Sequence, residues 1–273
     1  MAGMHSDWEL TQARVEDACR RCESGVTATL PFLTPRDCRR VERLLRERGT
    51  WNQAWLWGGY ATAERATLFL LPDYLCACLP DAPSACDANA VLAILGEEAE
   101  EAVSAVRIRG SGFRELSHRD FLGAILGLGL ERDALGDVAV QSPHEAVLFC
   151  PRKLVPFLRE SLVKVATDTV RVTEYVVDEH FTDGRHYRAI SDTVASERLD
   201  CVIAALCKLS RDAAQTLIRS GLVEVEFEIV ERTDLMLAPP VTISARGYGR
   251  FILRAFDGET RKGRLRLKAE QLI

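Results

Sequence analysis

The stretch Ser196–Ile229, SERLDCVIAALCKLSRDAAQTLIRSGLVEVEFEI, breaks with the pattern of the chain before it. Leu199, Val202, Ile203 and Leu206 fall at i, i+3, i+4 and i+7, the apolar stripe of one short helix. Ser210 interrupts that run and is placed to cap a second helix, Arg211 to Ser220, whose apolar face is Ala214, Leu217 and Ile218. Gly221 stands where a left-handed residue closes a helix. Val223, Val225, Phe227 and Ile229 then alternate, which predicts one continuous strand. Two short helices, a glycine stop and a strand make a small platform.

The polar side of the second helix carries the chemistry. Arg211, Gln215 and Arg219 recur at i, i+4 and i+8 and form one ridge, with Lys208 just before it. The helix start adds free amides and a positive dipole end, which suit a phosphate. A charged helix face that is merely solvated has the same spacing, so the ridge alone leaves both readings open. Glu224, Glu226 and Glu228 line one face of the predicted strand; acids repel phosphate, so this face is assigned away from any nucleic acid. Further on, Lys262, Arg264, Arg266 and Lys268 alternate with Gly263, Leu265 and Leu267. On a strand those cations share a face at a spacing of about 6–7 Å, near that of successive phosphates. An edge strand guarded by charge is the other reading.

The totals bound the rest. A chain of 273 residues holds two or three domains, and 47% hydrophobic with 27% charged residues is enough apolar material for each to bury a core. The net charge of −5 argues against a wholly basic nucleic-acid coat, but the charge is uneven. Glu97, Glu98, Glu100 and Glu101 form an acidic run, whereas Arg246 to Lys268 is basic with only Asp257 and Glu259 opposing it. No apolar run approaches the roughly 20 residues of a membrane span, and the polar start Met1–Leu10 is not a secretory signal; a cytoplasmic protein that does not enter membranes is expected. Nine cysteines at irregular spacing do not read as a disulfide framework. Cys19 and Cys22, even with Cys76 and Cys78, fit packing on a helix better than a zinc site. No metal and no cofactor are expected.

Along the chain, Trp8–Cys22 reads as a helix, and Pro31 and Pro35 bracket a break. Thr34 caps a helix that starts at Pro35 and ends at Gly49. Trp51–Trp57 and Ala66–Leu71 read as strands around the turn Gly58-Gly59-Tyr60, with the three tryptophans in the core. Pro80, Pro83 and Ser84 mark a boundary. Then come an apolar run Ala90–Leu95, a strand Ala105–Arg109, a helix Asp120–Leu130, strands Val138–Gln141 and Ala146–Cys150, a helix from Pro151 to Val163, and alternation over Val170–Val176. Strands and helices mixed in this order predict α+β units.

Some motifs tempt. His118-Arg119-Asp120 copies a kinase catalytic loop, but the partner motifs are missing. Capping by Ser117 or Asp120 and contact of His118 and Arg119 with RNA are the two readings. Gly58-Gly59 lacks the spacing of a dinucleotide fingerprint. Tyr248, between Gly247 and Gly249, is placed either to stack on a base or to pack on Phe251.

Arg198-Leu199-Asp200, Leu206, Ser210-Arg211, Ala214, Ile218, Gly221 and Val223 together resemble the signature of the S4-like RNA-binding domain. Over most of its length the chain resembles the bacterial YlmH family. That resemblance is carried by Gly58-Gly59-Tyr60 with Ala63-Glu64-Arg65-Ala66, by His118–Ala124 running on through Leu126–Gly129 to Gly136-Asp137, by Arg246–Phe251, and by Gly258–Arg264. It implies a multidomain α+β protein: an N-terminal α/β domain (1–83), a ferredoxin-like or RRM-like RNA-binding domain (84–180), a small S4-like module (190–256) and a basic C-terminal strand or tail (257–273). It implies a non-enzymatic, ribosome-associated protein, a monomer that binds ribosomal RNA or tRNA on the large subunit in quality control of stalled ribosomes. Arg198, Lys208, Ser210, Arg211, Gln215 and Arg219 would form the grip; Arg246, Tyr248, Arg250, Lys262, Arg264 and Arg266 would extend it. The sequence departs from the module's pattern near Glu226, where an Asn is usual, and at Pro239-Pro240, where a Gly-Asp pair is usual. Arg198-Leu199-Asp200 also resembles the catalytic Asp loop of pseudouridine synthases, so an RNA-modifying enzyme using the module for targeting is the alternative. The helix continuing from Cys201 to Leu206 speaks against it, and the first 180 residues show no catalytic constellation. A protein-interaction scaffold, suggested only by the three glutamates, is a third.

Overall fold

A computed structural model describes residues 3–178 and 180–273, with the side chains of the first helix from Trp8 onward. Met1 and Ala2, where the polar start begins, lie outside the described residues. The chain forms an α+β protein of two compact units divided between Gly184 and Arg185.

The first unit opens with α1 (Gly3–Glu23), β1 (Ala28–Leu33), α2 (Pro35–Arg48), β2 (Ala54–Trp57), β3 (Ala66–Leu70), α3 (Asp73–Cys76), α4 (Ala88–Leu95) and α5 (Glu97–Ala102). Thr34 caps α2 as its spacing predicts, accepting a hydrogen bond from the Asp37 amide at 3.1 Å. The strands form an antiparallel sheet in the order β1-β3-β2. Val15, Ala18, Cys19, Cys22, Val41 and Leu45 from α1 and α2 pack on one face; Val91, Leu95 and Ala99 from α4 and α5 cover Trp55 and Phe69 on the other. A central strand buried on both faces explains why β3 is an unbroken apolar run. Pro31 is tolerated inside β1 because β1 is an edge. The run Ala90–Leu95 belongs to a helix, where period alone could not decide.

The unit continues with β4 (Ser104–Gly110), α6 (His118–Leu126), β5 (Val138–Ser142), β6 (Glu145–Cys150), α7 (Val155–Ser161), β7 (Lys164–Val165) and β8 (Asp168–Tyr175). The sheet order is β5-β6-β4-β8-β7, so the βαββαβ core has the strand arrangement of a ferredoxin-like sheet. Phe121 and Ile125 of α6 and Leu158 of α7 bury one face against Val106, Ile108, Leu148 and Val172. Asp137 ties this sheet to the preceding one. Buried itself, it accepts from the Tyr60 hydroxyl at 2.8 Å, the Glu64 amide at 2.8 Å and the Arg65 amide at 3.3 Å, while Arg65 Nε donates to the Leu135 carbonyl at 2.7 Å. Thus Gly58–Ala66 and Gly136-Asp137, far apart in sequence, meet in one joint.

The second unit comprises β9 (Tyr187–Val194), α8 (Leu199–Leu206), α9 (Arg211–Arg219), β10 (Val223–Val225), β11 (Glu228–Ile229), β12 (Val241–Ala245), β13 (Gly249–Glu259) and β14 (Leu265–Leu272). Its six-stranded antiparallel sheet runs β11-β10-β12-β13-β14-β9. Leu199, Val202, Ile203 and Leu206, with Ala214 and Ile218, pack on the face formed by Val223, Ile243, Phe251, Leu253, Leu267 and Ala269. Two expectations change here. The stretch Val223–Ile229 is a hairpin and not one strand: Glu226 and Phe227 take positive φ (50° and 66°), the geometry of a tight two-residue turn. The three glutamates therefore share no strand face, and Glu226 Oε1 accepts from the Thr242 amide at 2.7 Å. Of the two readings of the basic C-terminal segment, strand or tail, the strand is found, but it is not an edge strand, because β14 lies between β13 and β9.

Candidate nucleic-acid interface

Two residues of the ridge, Arg211 and Gln215, converge with Arg198 on one buried carboxylate. Asp200 sits in the first turn of α8 with no exposed surface. Its backbone is pinned by the Asp200 amide donating to the Thr233 carbonyl at 3.0 Å. Arg198 Nε and Nη2 donate to its two oxygens at 3.1 Å each, Arg211 Nε donates at 3.0 Å, and Gln215 Nε2 donates at 2.8 Å. Burial pushes the Asp200 pKa up, but the hydrogen bonds from Arg198, Gln215 and Arg211 outweigh it and hold the group well below the usual carboxylate range. The carboxylate is enclosed, and the four hydrogen bonds it accepts orient the side chains that donate them.

The clamp leaves part of the ridge facing outward. Arg211 gives Asp200 only its Nε, and 54% of its side chain remains exposed; for Arg198 the figure is 34%. The Ser210 hydroxyl caps α9 by accepting from the Ala213 amide at 3.2 Å. Lys208, exposed in the turn before it, and Arg219, exposed in the last turn of α9, meet no carboxylate among the described residues. Arg219 also sits at the end of the helix where the dipole favours a cation.

The predicted extensions fare differently. Arg246 and Tyr248 are exposed at the β12–β13 turn, and Tyr248 does not bury its ring as its neighbour Phe251 does. Arg250 lies over the Phe227 ring, 5.3 Å from its centre. Lys262 is in the turn before β14 and not on the strand, so the row of four cations does not form. Arg264 is held by Thr193, its Nε donating to the hydroxyl at 3.1 Å, and Lys268 pairs with Asp257. Arg266 alternates with the buried Leu267, so it leaves the sheet on the side away from α8 and α9. It therefore cannot lengthen the α9 ridge as one continuous surface. His118 and Arg119, in the first unit, are exposed in the first turn of α6. There Ser117 and Asp120 form a capping box, with the Ser117 amide donating to Asp120 at 2.8 Å.

Eight of the nine cysteines pack in or against the apolar cores, and Cys78 is exposed. Cys19, Cys22, Cys38, Cys150 and Cys207 are buried, and burial pushes Cys38 and Cys150 up to about 12. Among the described residues no group of three or more His, Cys, Asp or Glu could hold a metal, and no helix is long and apolar enough to cross a membrane.

Comparison with known proteins bears on the same chain. A family model described as "Putative RNA-binding domain in YlmH" matches residues 98–179, the α5–β8 region. The Bacillus subtilis (strain 168) protein named ribosome-associated protein quality control protein P2 is 30% identical over 215 residues, covering 78% of this chain and 76% of that protein. A solved structure, the cell division protein ylmH from Streptococcus pneumoniae, is 20% identical with a TM-score of 0.43, over 62% of this chain and 91% of that one.

Proposed function

The chain belongs to the YlmH family, and we propose on that footing that it is a non-enzymatic RNA-binding protein of the ribosome. Its ligand is structured RNA, ribosomal RNA or tRNA on the large subunit, and its role lies in quality control of stalled ribosomes, as the name of the Bacillus subtilis relative suggests for that protein. One observation carries the RNA reading: a single buried carboxylate orients Arg198, Arg211 and Gln215 beside Lys208 and Arg219, which have no carboxylate of their own among the described residues. Folded RNA is gripped mostly through phosphates and shape, and cations held in advance in one orientation lose less entropy on binding. The S4-like reading of the two-helix module assigns this surface to the RNA. The same clamp weighs against the RNA-modifying alternative, because Asp200 is closed to a base.

The test is Lys208→Glu with Arg219→Glu, two exposed residues outside the clamp. Binding of purified large subunits is measured at several salt concentrations, with circular dichroism as the folding control. Affinity should drop sharply, and the log–log salt slope should flatten by roughly 0.7–0.9 for each phosphate that is no longer neutralised. A folded double variant with the parent's affinity and slope overturns the assignment.

A further inference from the structure

The five-stranded sheet of the first unit has two unlike faces. α6 and α7 cover one. The other carries Ala105, Arg107 and Arg109 on β4, flanked in register by Phe149, Val147 and Glu145 on β6 and by Tyr175, Thr173 and Arg171 on β8. One end of this face is closed. The Phe149 ring is fully buried, 4.9 Å from Tyr60 and 5.6 Å from Phe181, with Phe32 in the same cluster. An aromatic at the centre of the sheet is thus withdrawn from any ligand.

The other end is open and basic. Arg109 and Arg171 face each other across β4 and β8 and are exposed. Glu145 takes one ion pair from Arg107 at 3.2 Å and one from Arg109 at 2.7 Å, and Arg107 also lies 4.4 Å from the centre of the Tyr175 ring. Beyond β4 the loop 111–117 is fixed at both ends. The Ser111 amide donates to the buried Asp168 at 3.1 Å, His144 Nδ1 donates to the Arg114 carbonyl at 2.8 Å, and the Leu116 amide donates to the Pro143 carbonyl at 2.7 Å. Arg114 Nη1 donates to the Thr167 hydroxyl at 3.1 Å. From this anchored loop Phe113 projects with 97% of its surface exposed. The loop carries Arg114 and Glu115 beside Phe113, and it leaves β4 just after Arg109, the register partner of Arg171 on β8.

A loop tied down this firmly holds an apolar ring in water with no internal contact to offset its hydration. We propose that Phe113 is a stacking platform for an unpaired base, and that Arg109 and Arg171 take the phosphates of the same single-stranded RNA segment. A flat ring beside cations fits a base and its phosphates. A protein partner would call for a contiguous apolar patch and a membrane for several inserted apolar residues, and the neighbours of Phe113 in its loop are glycine and charged residues. The proposal rests on the RNA-binding reading and names a second contact, with unpaired RNA, in the other unit.

The test uses the full chain and a short unstructured oligoribonucleotide carrying 5-iodouridine. Photocrosslinks should map to Phe113. Phe113→Ala should weaken oligonucleotide binding roughly ten-fold, within the range expected when one base–aromatic stack is removed, and Phe113→Leu should not restore it; circular dichroism should be unchanged for so exposed a residue. Binding of large subunits should remain sensitive to Lys208→Glu with Arg219→Glu. Parental oligonucleotide affinity in Phe113→Ala, crosslinks only elsewhere, or a loss of binding to phosphatidylglycerol vesicles in place of RNA would each overturn the proposal and leave the ridge assignment standing. A parent protein that binds neither oligonucleotide nor large subunits would overturn both.

Discussion

Replacing Asp200 with Asn asks whether one carboxylate organises the ridge. Four donor–acceptor pairs end on its two oxygens, at 2.8–3.1 Å. Three of them end on Oδ2 and one on Oδ1, so Asn can keep its one acceptor oxygen where three donors meet and turns its amide donor toward Arg198 Nε; one bond fails and the other three lose a charged acceptor. A hydrogen bond to a charged group is worth roughly 1.5–3 kcal/mol. Water reaches the arginines, which are 34% and 54% exposed, and replaces part of what they lose. One failed bond and three weakened from charged to neutral, discounted by about half, leave roughly 2 kcal/mol of destabilisation in residues 185–273.

The pH dependence separates this from a packing defect. The folded-state pKa of Asp200 is depressed, so its contribution is present above the unfolded value of about 3.9 and is lost as pH falls toward the folded one. The stability gap between parent and Asp200→Asn should be full at pH 7. It should close below about pH 4, with a limiting slope of about 1.4 kcal/mol per pH unit. Urea unfolding from pH 7 to 3.5 measures the gap, and hydrogen exchange over α8 and α9 assigns it to this unit. Large-subunit affinity should fall roughly ten-fold, since two loosened arginines must be ordered again on binding, even though the variant is one charge more positive. A gap that stays constant with pH, or an affinity that rises as the added charge alone would dictate, refutes the clamp.

The joint in the first unit gives two further expectations. Tyr60→Phe removes one buried hydrogen bond to Asp137 and should cost about 1–2 kcal/mol; an unchanged melting temperature would count against the joint. Gly59 has φ +101°, and a Cβ there would lie 2.3 Å from Phe149 Cδ1, so Gly59→Ala should lower stability more than Tyr60→Phe does. Expression of a soluble Gly59→Ala protein with parental melting would contradict the close approach.

Features written locally were legible in the sequence. Thr34 and Ser210 cap helices that their spacing predicts, and Gly221, at φ 66°, follows the second module helix as the left-handed residue expected there. Strands defined by distant partners were not. β9 is a polar edge strand paired, among the described residues, only with β14, some 70 residues on, so it shows no burial alternation beyond its last residue. The turn at Glu226-Phe227 uses neither Gly nor Asn, and period-two alternation passes straight through it. Within Arg246–Lys268 the alternation over Lys262–Lys268 is legible as a strand, but the charge conceals how far β13 and β14 extend and that their apolar residues complete the core of the second unit.

The same limit governed the ridge. Helical spacing put Arg211, Gln215 and Arg219 on one line, but it could not show that Asp200, 11 residues before Arg211 and 15 before Gln215, lies beneath it. Once that contact exists the three residues are no longer equivalent. Arg211 and Gln215 serve a buried charge as well as any ligand, so Arg211→Glu would set a second carboxylate against Asp200 and confound weakened binding with weakened folding. Arg219 and Lys208 carry no such duty toward Asp200, and a charge reversal there acts mainly on what an approaching phosphate meets, the Arg219 change adding only the small cost of an acid at the C-terminal end of α9. The residues that report on binding without disturbing the fold are therefore those the clamp leaves out, a distinction that lies in the tertiary contact and not in the spacing.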